Sequence, residues 1–140
     1  MVSVCRAAIS YFALVFAAGF ILGAIRVFWI APRLGELPAV VLESPIMLLV
    51  SWLTCGIWIR VFNIRGHYAG LAMGAIAFVL LMIAEFALSL LVFGRSPVEF
   101  LRAYSRPAGA VGLASQIVFG LMPRFRSTAY SRKASGLPGR

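Results

Sequence analysis

Four long apolar stretches run through the chain, separated by short breaks rich in glycine, proline and arginine. The first is uncharged over 7–25 and predicts a membrane helix over about 8–30, interrupted late by Arg26 and flanked by the interface-seeking aromatics Tyr11 and Trp29. Its nineteen uncharged residues exceed the roughly 7–15 of a signal-peptide core, and no small-x-small cleavage site closes it, so it reads as a retained helix. Pro32, Arg33, Gly35 and Pro38 predict a short loop.

The second stretch, 39–62, contains Glu43-Ser44-Pro45. Ser44 as N-cap with Pro45 in the first helical position predicts a span over 45–62. The alternative is a helix that starts near Pro38 and is kinked at Pro45, which frees the carbonyl of Val41. The third stretch, 68–93, is broken only by Glu85, and Gly94-Arg95 ends it. Ser96-Pro97-Val98-Glu99 has the capping-box pattern, with Phe100, Leu101 and Tyr104 on one face, and predicts a short helix lying in the interface. Residues 107–123 are uncharged between Arg106 and Arg124. They reach about 25 Å as a helix, the lower limit for a span, with the two arginines snorkelling. A re-entrant segment is the alternative. Residues 124–140 read as a basic, disordered tail. The fold class is therefore all-α, a polytopic transmembrane bundle of four spans over 1–123 with a short interfacial helix before the last.

Composition agrees. Of 140 residues, 62% are hydrophobic and 12% charged, against about half and a quarter in soluble domains. A chain this short has too little interior to hide so much apolar surface. There is no Asp, and His67, Lys133, Asn63 and Gln116 are each the single example of their type. That inventory offers no nucleophile–base pair, metal set or nucleotide site, so no enzyme activity, metal or cofactor is expected. Ser51, Thr54 and Ser89 can bond to their own helix carbonyls, with no base nearby in sequence to activate them, and Cys5 and Cys55 have no metal or redox spacing.

The chain has 13 basic and 4 acidic residues. In a soluble protein this would suggest nucleic acid. Here the basic residues fall between and after the apolar runs, where they set topology and meet anionic headgroups. The expected partner is the lipid bilayer with its anionic lipids, through Arg124, Arg126, Arg132 and Lys133, and not nucleic acid. With four spans, Arg6, Arg60, Arg65 and the basic tail share one side, while Arg33, Arg95, Arg102 and Arg106 lie on the other. That asymmetry predicts both termini in the cytoplasm; if 107–123 does not cross, the prediction reverses.

Gly19 and Gly23 form a GxxxG pattern in the first span, and Gly70 and Gly74 form another, with Gly66, in the third. Such ridges let helices approach closely; packing within one chain is the primary expectation and homo-oligomerisation the alternative. Three charges fall inside spans. Arg26 lies about 9 Å from Pro32, Glu43 about 7 Å from Pro38 and Glu85 about 13 Å from Gly94. Alternating topology puts all three in one leaflet, where Arg26 could pair with Glu43 or Glu85. An unpaired charge at mid-helix costs roughly 2.5–3.5 kcal/mol on insertion-based scales. One Arg with two Glu leaves a carboxylate over, which makes Glu85 the candidate proton or cation site.

Several segments also resemble a family of small bacterial inner-membrane proteins of about four helices and no established function. They are Gly19-Phe20-Ile21-Leu22-Gly23 with Arg26, Pro32-Arg33-Leu34-Gly35, Glu43-Ser44-Pro45-Ile46-Met47-Leu48, Ala84-Glu85 and Leu121-Met122-Pro123. The resemblance covers most of 10–123. It implies that Arg26, Glu43 and Glu85 stand at motif positions, and it supplies no substrate, cofactor or reaction. The leading expectation is a non-enzymatic structural or accessory membrane component of a bacterial inner membrane, alone or in a larger complex. A small oligomeric transporter or channel using Glu85 is the alternative.

Overall fold

The computed structural model describes residues 1–134, with side chains through Arg132. It is an all-α bundle built on four helices long and apolar enough to cross a membrane. Helix α1 (Val2–Leu34) is regular over Val2–Ile25, opens into a π-helical turn at Arg26–Ile30 and closes with one α-turn at Ala31–Leu34. Pro32 has no N–H to offer the carbonyl of Phe28, and the turn before it widens, with Ala31 N–H donating to the carbonyl of Arg26. The expected loop at 32–38 thus shrinks to Gly35, whose φ of 88° breaks the helix in a single residue.

Helix α2 (Glu36–Val61) starts at once and carries Pro45 in its interior. The preferred expectation of a start at Pro45 is therefore corrected: the helix starts before Pro38 and continues through Pro45, as the alternative had it. Ser44 does not cap a helix; its hydroxyl donates to the carbonyl of Val40, 2.8 Å away. Pro38, in the first turn, costs the helix no intrahelical bond, whereas Pro45 leaves the carbonyl of Val41 without its backbone donor. Helix α3 (His67–Leu91) follows a loop at 62–66 with positive φ at Asn63 and Gly66. Helix α4 (Pro97–Ala103) has the expected capping box: Ser96 Oγ accepts from Glu99 N–H, and Glu99 accepts from Ser96 N–H at 2.7 Å.

Helix α5 (Pro107–Ala134) corrects the expected boundary at 123. Arg124 does not begin a disordered tail. The helix continues because its next turns dock on the α2–α3 loop: Ser127 Oγ donates to the carbonyl of Gly66 at 3.0 Å, and Ser131 Oγ accepts from Gly66 N–H at 2.8 Å. Tyr130 donates to Asn63 Oδ1 at 3.4 Å, and Arg65 lies over the Tyr130 ring. The remainder of the expected tail, 135–140, and the side chain of Lys133 lie outside the described residues.

Around the bundle, α1 and α5 each pack against both α2 and α3, while α2 and α3, adjacent in sequence, scarcely touch. The diagonal between α1 and α5 is closed by the stacked rings of Tyr11 and Phe119, 4.6 Å apart. Pro123 removes the N–H that would bond Phe119's carbonyl, and the Tyr11 hydroxyl supplies the missing donor at 3.1 Å. Ala7, Ala8, Val15, Cys55, Ile59, Met73 and Ala77 fill the space around this pair. Leu, Ile, Phe and Val side chains cover the outer faces, the distribution expected where lipid, not water, is the solvent.

Candidate functional site

The two ends of the bundle differ in chemistry. The basic end holds the N-terminus, the 62–66 loop and the last turns of α5; the glutamate end holds the Gly35 break and α4. All three intramembrane charges lie toward the glutamate end. Arg26 projects from the π-helical turn, and its Nε lies 2.5 Å from Oε2 of Glu43 on α2, with both side chains largely shielded. The contact is an ion pair whose N–H is poorly aimed for a hydrogen bond. Of the two pairings the sequence allowed, the structure selects this one.

Glu85, on α3, takes neutral partners instead. Gln116 Nε2 on α5 donates to its Oε1 at 2.6 Å, and the Tyr104 hydroxyl, just after α4, is 3.5 Å from its Oε2. Phe100 braces Tyr104 edge to face, and Phe86 braces Phe100 in the same way. Burial, and then the neighbouring carboxylate, push the Tyr104 phenol up to about 12, so it remains a donor. Two oxygens nearby lack a partner among the described residues: Gln116 Oε1 and the buried hydroxyl of Ser89, one turn beyond Glu85. Of the hydroxyls able to bond to their own helix, Ser51 does so, donating to the carbonyl of Met47 at 2.7 Å, and Ser89 does not.

The two glycine pairs divide. Gly70 and Gly74 are contact points: a Cβ on Gly70 would overlap Ser127 and the Pro123 carbonyl, and one on Gly74 the Gly120 carbonyl. Gly19 faces only the flexible end of Met47, and a Cβ on Gly23 would meet open space. Gly23 is thus not a packing glycine within the chain, a correction explained by α1 leaning on its neighbours through Tyr11 and Val15 instead.

The basic residues divide too. Arg126 turns inward, its guanidinium 4.3 Å from the Trp52 ring centre and pressed against Gly56. This corrects its assignment to headgroups: the missing side chain at Gly56 leaves a slot on α2 for the guanidinium. Arg124 and Arg132 instead line an open cleft with His67, Phe125, Thr128 and Ala129. A second cleft, lined by Arg6, Ile9, Ser10 and Phe62, lies at the same end. His67 stacks at a tilt on Tyr68. No grouping of metal-ligating side chains occurs among the described residues.

Gln116 and Tyr104 were missed as partners of Glu85. The depth arithmetic that grouped the three charges would have found Gln116, which sits about 13 Å from Pro107, as deep in its helix as Glu85 was expected to be. Comparison with protein-family models, curated proteins and solved structures finds no match to this chain.

Proposed function

We propose that the chain is a small, multi-pass, non-enzymatic component of a bacterial inner membrane, structural or accessory to a larger membrane complex, with both termini in the cytoplasm. The observation that carries this reading is that each intramembrane charge is engaged by a neighbouring helix. Arg26 has Glu43, and Glu85 has Gln116 and Tyr104. These contacts join α1 to α2 and α3 to α5, as a scaffold requires, and the two clefts lie at the opposite end. The orientation rests on the excess of basic residues at the end holding the N-terminus and the last turns of α5. A transporter or channel is the second reading, favoured by one feature: among the described residues, Glu85 has no cation in ion-pair contact and stands near two oxygens without a hydrogen-bond partner.

Purification from native membranes under mild detergent, beside proton-flux measurements in proteoliposomes, separates the two. The accessory role predicts a reproducible co-purifying membrane protein and flux no greater than in empty vesicles. Flux that depends on pH and is abolished by Glu85→Gln would replace it with the transport reading.

A further inference from the structure

We propose that Glu85, Ser89 and Gln116 form a site for a dehydrated monovalent alkali cation between α3 and α5. Ser89 stands one turn beyond Glu85, about 6 Å along α3, on the inward stripe that also carries Leu81. Gln116 reaches Glu85 from α5, its Nε2 2.6 Å from Oε1. Ser89 is 6% exposed, and its hydroxyl has no hydrogen-bond partner among the described residues. Gln116 Oε1 is shielded and unpartnered in the same way. The Tyr104 hydroxyl adds a further oxygen 3.5 Å from Glu85 Oε2, a separation long for an O–H···O bond.

Charge and hydrogen bonding together decide the occupant. Arg26 and Glu43 neutralise each other, which leaves Glu85 as the intramembrane charge with no ion-pair partner among the described residues. A lone charge in lipid is costly, and so is a buried polar oxygen without a partner. A bound water would satisfy the two oxygens and leave the charge. A proton would remove the charge and satisfy at most one of the oxygens. A monovalent cation meets both needs, because it takes carboxylate, amide and hydroxyl oxygens in place of its hydration shell. A divalent cation would leave one positive charge in excess. The cation gives the Glu85 of the transport reading an occupant, yet it serves a scaffold equally, and its binding is measurable without flux.

Thermal unfolding of the full chain in neutral detergent tests the assignment, with NaCl or KCl replacing N-methyl-D-glucamine chloride at constant ionic strength. The wild type is expected to gain about 5 °C in Tm with at least one of the two cations. Glu85→Gln should lose most of that rise. Ser89→Ala should lose it too, and as a small change at a buried position it covers the case of a Glu85 variant that misfolds. Ser51→Ala removes a buried hydroxyl that already bonds to its own helix and should keep the rise. No rise with either cation overturns the site, in favour of a proton if acidification raises Tm in the wild type but not in Glu85→Gln, and of a water otherwise. A rise kept in full by Ser89→Ala also overturns it.

Discussion

The two halves of the bundle hold their helices together by different means. In the half toward the basic end, backbones meet directly: Gly70 and Gly74 press onto Pro123 and Gly120, and Tyr11 stacks on Phe119. The largest fully buried side chains, including Tyr11, Ile59, Met73 and Cys55, lie there. In the other half the helices are joined through long polar side chains, Arg26 to Glu43 and Gln116 to Glu85. Small residues at a helix contact gain dispersion from close approach, and that gain is lost at once if a side chain intervenes. Polar bridges act at longer reach and tolerate some separation, but each charge they leave behind is costly in lipid. The first half should therefore govern whether the bundle forms, and the second how it is held or moved.

The sharpest way to break this contrast is steric. Gly74→Leu drives a side chain into the Gly120 carbonyl and should cost about 3 kcal/mol or more, read as loss of monodisperse protein or a steep fall in Tm in detergent. Gly23→Leu, in open space, should change stability by no more than about 0.5 kcal/mol. Similar losses from both would mean that the Gly19/Gly23 face is covered, for instance by a second copy.

The next effect is electrostatic. Glu43→Gln leaves Arg26 without its partner and should destabilise by about 2 kcal/mol, with much of that recovered in Arg26→Gln/Glu43→Gln. The same thermal-unfolding cycle on Arg26 and Glu85 should give a smaller coupling, because Glu85 is held by Gln116 and Tyr104. A larger coupling for Glu85 would contradict the pairing described here.

The smallest effect lies outside the spans. Ser96→Ala removes the cap of α4 and should cost about 1 kcal/mol. Hydrogen bonds from Ser96 hold the Glu99 carboxyl below its usual range. A carboxyl lowered on folding stabilises above its unfolded value, near 4.3, and loses that contribution as pH falls through its folded value. An NMR titration of Glu99 should show the lowered midpoint, and Ser96→Ala should return it toward the ordinary one.

How much of this was legible in the sequence depended on the range of the forces involved. The four apolar stretches, the capping box at Ser96 and the comparable depths of Arg26, Glu43 and Glu85 in their helices follow from the chain itself, while 107–123 could be read as a short span or a re-entrant segment. Hydropathy, a four-residue hydrogen-bond pattern and about 1.5 Å of rise per residue are local properties. Tertiary structure decided what those properties leave degenerate. Arg26 could reach either glutamate by depth alone, and the rotation set by the π-helical turn and by α2 gave it Glu43. Pro45 had two local solutions, a helix start or a helix interior, and α2 takes the second. Residues 124–134 are polar enough to read as a tail, and they continue the helix where Ser127, Ser131 and Tyr130 close on the 62–66 loop, some 60 residues away in sequence. Composition determined that this chain must satisfy its backbone in lipid; which side chains complete that task was fixed by which helices became neighbours.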